Sequence, residues 1–370
     1  MKAKAIEEGR DLIDLGIGDP DQPTPQIIID KLAEAAKDPV THRYDETECG
    51  WPMFLESVGR WYKKRFGVDI CPKTEAVLLI GSKEGLVHFA WAMVDPGDVV
   101  LVPDPAYTAY KMATLLAGGE PVVMPLLEEN GFLPDLTAIP SDVAHKAKVM
   151  YLNYPNNPTG AIATVDFFRD VVAFAKEYDI AVCHDCAYSE VFYEDYRPPS
   201  FLEAEGAKDV GIEMHSLSKT YNMTGWRIGM AVGNSELIRA LNKLKSNVDS
   251  RQFPAIDIAA AHALEHVDNA EKLALYRKRR DILVEGLNKL GWEVKKPLAS
   301  LYVWAKIPSG YTSAEFVKTL LQDAGVLAIP GNGYGQYGEG YIRMSLTVSG
   351  DKDGERVHEA VQRIAKHIKF

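Results

Sequence analysis

VMYLNYPNNPTGAIATVDFFRDVVAFAKEYDIAVC, residues 149–183, reads as strand, turn, helix and strand. VMYLN and IAVC are short apolar runs of the kind that fill a strand buried on both faces. VDFFRDVVAFAKEY, between them, repeats its apolar residues at helical spacing. A helical crossover of that length returns the second strand parallel to the first. Working outward, AVLLI at 76–80, DVVLV at 98–102 and PVVM at 121–124 precede this unit, with the amphipathic EGLVHFAWAMV among them, and GIEMHS at 211–216 and GMAVG at 229–233 follow it. The alternation predicts an α/β fold with a mainly parallel central sheet, in a large domain over residues 25–270.

From about residue 270 the texture changes. NAEKLALYRKRRDILVEGLNKLG reads as a long charged helix ending at Gly291. WEVKK, LYVWAKI, VLAIP and YIRMSL then read as strands, with helices near 313–324 and 351–368. That order predicts a smaller α+β domain formed by residues 1–24 and 271–370.

A net charge of −11 over 370 residues argues against nucleic acid or an anionic membrane as partner, because phosphate binding needs a basic face. Four scattered cysteines, Cys49, Cys71, Cys183 and Cys186, are too few to staple a chain of this size, which points to a reducing compartment. The start is charged rather than apolar, and no window approaches the roughly 20 apolar residues of a membrane span. A cytoplasmic protein is expected.

Ligands of parallel sheets bind beyond the carboxyl ends of the strands. After AVLLI comes GSKEGL, a glycine, a hydroxyl and a helix start suited to a phosphate, although alone it reads as an ordinary N-cap at Ser82. After DVVLV comes PDPAY, which puts Tyr107 where its ring could stack on a ligand or pack its own loop. After VMYLN comes YPNNPTG, a turn that holds the amides of Asn156 and Asn157 at a strand exit.

CHDCAYSE at 183–190 invites a metal or redox reading, but one C-x-x-C is half a zinc site and the context is not thioredoxin-like. Cys183 is read as core packing and His184 and Cys186 as neighbours without a role, which leaves Asp185 and Tyr188; no metal is expected. In HSLSKTYNMTGWRIG, Lys219 follows a buried strand and stands among Ser216, Ser218 and Arg227. Desolvation and nearby cations free a lysine amine for imine chemistry. One ligand uses an anion site, a stacking aromatic, a carboxylate and such a lysine together: pyridoxal phosphate.

These residues closely resemble the fold-type I pyridoxal-phosphate enzymes, specifically the class I/II aminotransferases. The resemblance runs from GIGDPD at 16–21 to IRMSL at 342–346 and rests on SLSK-x7-R, NNPTG and D-x-x-Y in combination. It implies that Lys219 bonds the cofactor and moves a proton, that Asp185 pairs with the ring nitrogen, and that Asn157 and Tyr188 reach the phenolic oxygen. It further implies a phosphate site from the Ser82 and Lys83 amides, Ser216, Ser218 and Arg227, with Tyr44 supplied by the second subunit of a homodimer. Tyr107 would stack on the ring. Arg343 would clamp the substrate α-carboxylate, with Gly18 and Asn157 beside it.

Within the family, HRYDETECGW, PDPAYTAY and HDCAYSE are most similar to the bacterial LL-diaminopimelate aminotransferases, which implies 2-oxoglutarate as acceptor and a place in lysine biosynthesis. Other members act on alanine, aspartate, methionine or aromatic amino acids. A carbon–sulfur lyase on the same fold would keep Lys219, Asp185 and Arg227, and a non-catalytic effector-binding module is a distant third reading. Two departures stand out: Ala299, Ser300 and Leu301 replace a Gly-Thr-Phe run and are expected to alter that wall of the pocket, and Arg251 reads either as a surface residue or as a partner for a distal carboxylate. By the same resemblance, an arm ahead of Lys2 is expected to be missing from the sequence.

Overall fold

The computed structural model describes residue 7, residues 9–45, residue 47 and residues 49–369. Its strands in chain order are β1 (Ile13–Asp14), β2 (Ala76–Leu79), β3 (Val99–Asp104), β4 (Glu120–Pro125), β5 (Ala147–Asn153), β6 (Ala181–Asp185), β7 (Gly211–Ser216), β8 (Gly229–Gly233), β9 (Tyr302–Lys306), β10 (Val326–Leu327), β11 (Ile329–Pro330) and β12 (Tyr341–Ser345). Five helices enter the argument: α1 (Ser82–Met93), α2 (Val165–Tyr178), α3 (Leu217–Thr220), α4 (Ala270–Lys289) and α5 (Glu355–His367).

The central sheet has seven strands in the order β2-β8-β7-β6-β5-β3-β4. The block from β4 to β7 is parallel, and β8 runs antiparallel to both β7 and β2. Two reversals restore β2 to the direction of the block. Ser82, Tyr107, Asn157, Asp185 and Ser216 therefore leave their strands at one edge, and Arg227 enters β8 at that same edge. Alternate strand residues supply the two faces: Leu78, Leu101, Met150 and Val182 pack on one side, and Val77, Val100, Val149 and Cys183 on the other. A sheet buried on both faces explains why its strands read as continuous apolar runs rather than alternating ones.

A second core gathers Ile13, Leu15, Tyr276, Leu283, Val303, Ile342 and Ile364 beneath the antiparallel sheet β11-β12-β9. The start of the chain is fastened into it. β1 pairs with β10, Leu15 accepts from the Ser345 amide at 2.6 Å, and the Thr347 hydroxyl donates to the Ile17 carbonyl at 2.5 Å. Arg279, fully buried on α4, binds both oxygens of Asp21 at 2.8 Å each and the Leu346 carbonyl at 3.0 Å. A bidentate pair of this kind fixes direction as well as distance.

WEVKK is not a strand. Asn288, near the end of α4, accepts from the Val294 amide at 2.7 Å and donates to its carbonyl at 3.1 Å, so a side chain takes the pairing that a neighbouring strand would have supplied. Trp292 is buried there and donates its indole N–H to Lys306. β1, two residues long, was not anticipated.

Ser300 is fully buried at φ +76, a left-handed conformation that L side chains rarely adopt, and its hydroxyl has no partner among the described residues. The conformation costs about 1–2 kcal/mol and an unpaired buried hydroxyl about 1–3 kcal/mol, while glycine returns up to about 1 kcal/mol to the unfolded chain. Ser300→Gly is expected to stabilise the protein by about 1 kcal/mol, raising the melting temperature by about 2 °C. A lower melting temperature for the variant would refute the strain assigned to Ser300.

Candidate active site

A cavity of about 460 Å³ opens at the carboxyl edge of the parallel strands. Its wall contains every residue that the resemblance assigns to the cofactor or the substrate α-carboxylate except Tyr44, whose ring stands exposed elsewhere. Larger hollows, such as one of about 960 Å³ beside Trp292 and Lys306, hold no comparable convergence of chemical groups.

One end of the cavity is built for an anion. α1 begins at Ser82, and its cap is Gly81 at φ +78, not the Ser82 hydroxyl that the sequence suggested. A Cβ on Gly81 would lie 2.2 Å from Nη2 of Arg227, so the missing side chain is the space the guanidinium occupies. Arg227 is itself turned to φ +57 and held by a 2.7 Å bond from Nη1 to the Thr224 carbonyl. Ser216 caps α3, its hydroxyl accepting from the Ser218 amide at 3.2 Å. Helix amino termini, hydroxyls and a guanidinium on one wall suit a phosphate. Lys83 reaches over the Tyr107 ring at 5.6 Å, and that ring supplies an aromatic face to the same wall.

Asp185 ends β6 and is buried. Its Oδ2 accepts from the Tyr110 hydroxyl at 2.8 Å, whereas Oδ1 is buried without a partner among the described residues. Burial pushes the carboxyl above its ordinary range, with the Tyr110 bond opposing. A carboxylate oxygen left bare beside a cavity fits a cationic or N–H-bearing ring that would complete it. Tyr110 was missed in the sequence: it lies in the first turn of the helix Ala109–Leu116, three residues after Tyr107 in PDPAYTAY. Asn153 was missed too: it donates to the Asp185 carbonyl at 2.7 Å and accepts from the Asn157 amide at 2.8 Å, locking strand end to turn.

Lys219 lies on α3 and donates to the Gly18 carbonyl at 2.7 Å. Burial pulls its amine down to about 8; Asp19 opposes this, and Arg227 and Arg343 assist it. Gly18 cannot carry a side chain, since its Cβ would meet the Tyr302 hydroxyl at 2.1 Å. That hydroxyl bonds Tyr188 at 3.0 Å across the cavity wall.

Arg343, buried on β12, donates to Asn157 Oδ1 at 2.9 Å and to the Gly16 carbonyl at 2.7 Å. Its guanidinium lies 4.0 Å from the Tyr302 ring and 4.9 Å from Tyr334. No carboxylate pairs with it among the described residues, and its Nε is buried without a partner. A buried cation facing a cavity without a counter-ion selects an anionic ligand.

Three sequence readings are revised. His184 is not without a role. Its Nε2 accepts from the Tyr154 amide at 3.1 Å, so Nδ1 carries the proton and donates to Glu213 at 2.7 Å, beneath the turn that bears Asn157. Burial would raise the Glu213 carboxyl, but its bonds to His184 and His215 hold it well below the usual carboxylate range. Cys186, the third member of this cluster, donates its thiol to the Tyr154 carbonyl. Arg251 is neither a surface arginine nor a wall of the cavity: it pairs with Asp45 at 3.1 Å and binds the Thr47 carbonyl. Ala299, Ser300 and Leu301 are buried behind the wall rather than in it.

Fold and site together define an enzyme whose buried amine and carboxylate converge on a pocket with an anion-binding end and a second, unpaired guanidinium. The family model "aminotransferase class I and II" matches residues 10–364. The LL-diaminopimelate aminotransferase of Moorella thermoacetica is 56% identical over 98% of this chain and 93% of its own, and that of Syntrophobacter fumaroxidans 55% over 99% and 94%. Among solved structures, substrate-bound BacF from Bacillus subtilis superposes with a TM-score of 0.93 at 42% identity, covering 99% of this chain and 92% of that one. The chain belongs to the class I and II aminotransferases.

Proposed function

We propose that this aminotransferase uses pyridoxal 5'-phosphate to move an amino group from LL-diaminopimelate to 2-oxoglutarate, in lysine biosynthesis. The observation that carries the donor assignment is identity above one half, over nearly the whole chain, to relatives bearing that name. The cofactor assignment rests on the cavity itself. Arg227, Ser216, Ser218 and the amides of Ser82 and Lys83 would hold the phosphate, Tyr107 the ring face, and Asn157 and Tyr188 the phenolic oxygen. When bound, the cofactor supplies an electron sink for the pair released at the substrate Cα. Asp185 keeps a negative charge against the ring nitrogen, Arg343 orients the substrate through its α-carboxylate, and Lys219 takes and returns the proton at Cα. Donor and acceptor occupy the pocket in turn. None of the described helices is long and apolar enough to cross a membrane. The exposed Tyr44 fits a homodimer in which each subunit completes its partner's phosphate site.

The test is a half-reaction. Protein loaded with pyridoxal phosphate is mixed with LL-diaminopimelate without acceptor, and conversion to pyridoxamine phosphate is followed in the visible spectrum. Conversion is expected to be faster than with alanine, aspartate, glutamate or methionine. Faster conversion with one of these would overturn the donor assignment, and no conversion by any of them the cofactor assignment.

A further inference from the structure

Lys219 stands on a helix too short to hold itself. One turn of α3 has paid the cost of nucleation without propagation, so bonds at its two ends must fix its direction. The amino end is fixed by Ser216. At the carboxyl end, Leu217 and Ser218 give their carbonyls to the amides of Tyr221 and Met223 at 3.0 and 3.2 Å. The next two carbonyls, those of Lys219 and Thr220, both accept from a single group, the side-chain amine of Lys272 on α4, at 2.8 Å for Lys219. Burial pulls this amine down to about 7, with Glu190 opposing; neutral or charged it keeps an N–H for each carbonyl, and in the charged form it also meets the negative end of the helix dipole.

We propose that Lys272 is a positioning residue for Lys219: it closes the carboxyl end of α3 and thereby fixes the direction in which the Lys219 amine enters the cavity. This rests on the reading of Lys219 as the proton-moving lysine. Lys272 does not line the active-site cavity, and its side chain is half-buried at the edge of a different hollow, of about 710 Å³. The charged groups around that hollow are Asp268 and Glu271 on its near side and Lys278, Lys352 and Asp353 across it, and Glu190 faces Lys272 from the loop after Tyr188. Glu190 is engaged by Arg65 at 2.9 Å, and Lys278 by Asp353 at 2.6 Å, so the two backbone carbonyls are the Lys272 partners that geometry singles out.

The experiment compares wild type with Lys272→Met in the full chain. Loaded with pyridoxal phosphate, the variant is expected to keep its KM for the donor within about threefold while kcat falls by about tenfold or more, since a displaced catalytic group loses rate before it loses binding. A second readout needs no cofactor. Trace acetylation of Lys219 across pH, followed by peptide mass spectrometry, should give a midpoint of about 8 in wild type and move toward the ordinary 10.5 in the variant, as the freed side chain regains water. Unchanged kcat and an unchanged Lys219 midpoint in a folded variant would overturn the proposal. If Lys272→Met does not fold, Lys272→Gln, with a shorter neutral donor, is expected to show a kcat loss of about threefold or more and the same direction of shift; no change in either overturns it as well. If the wild type proves not to transfer amino groups, the reading of the site fails, and the acetylation midpoints still decide the role of Lys272.

Discussion

Lys219→Ala is expected to leave a folded, cofactor-binding protein whose amino transfer is slower by about 10⁵-fold. Among the described residues of the cavity, this amine alone combines reach, burial and a lowered proton affinity: it donates to Gly18 and is pulled down to about 8. Arg227 and Ser216 are untouched by the change, so the phosphate grip should survive and the loss should fall on kcat. Single-turnover mixing with LL-diaminopimelate measures it. A variant within about tenfold of wild type would show that another group moves the proton.

Asp185→Asn is expected to cost about 10³-fold in the same assay, because a neutral amide cannot hold charge against the ring nitrogen in a buried site. The substitution should act in the opposite direction on stability when no cofactor is present. The Asp185 carboxyl is raised in the fold from its ordinary 3.8, so folding favours the protonated form. Stability from this group is lost as pH rises through 3.8 toward the raised value, and the wild type without cofactor carries that penalty at neutral pH. The amide escapes it. At pH 7 the cofactor-free variant should therefore be more stable by about 1–3 kcal/mol, since each pKa unit by which burial raises a carboxyl is worth about 1.4 kcal/mol once the group ionises. Equal melting temperatures without cofactor would remove the argument from the buried charge of Asp185.

Much of this was legible because the chemistry sits where apolar runs stop. Asp185, Ser216 and Lys219 are marked by the end of a strand, and the parallel direction of β5 and β6 follows from the helical crossover between them. What escaped the sequence depended on partners distant along the chain. His184 looked idle because Glu213, its partner, lies on the neighbouring strand β7. WEVKK has the pattern of a strand, and only the return of Asn288 onto Val294 shows why it is not one. Tyr110 and Lys272 act through Asp185 and through backbone carbonyls, contacts that leave no motif. The phosphate end was misread in one detail, the cap at Gly81, since serine and glycine are both ordinary at that position.

The fastening of residues 13–21 onto β10, β12, Arg279 and Thr347 sets an order of assembly during translation. The loop that presents Gly18 to Lys219 is made first, yet nearly everything that holds it is made last. A nascent chain that has left the ribosome as far as β8 already possesses the phosphate wall and the lysine, but neither Arg343 nor a fixed Gly18. Competence for substrate would thus arrive only with the final strands, and a polypeptide released before residue 343 would have the residues proposed to grip a phosphate while lacking the arginine proposed to orient an amino acid.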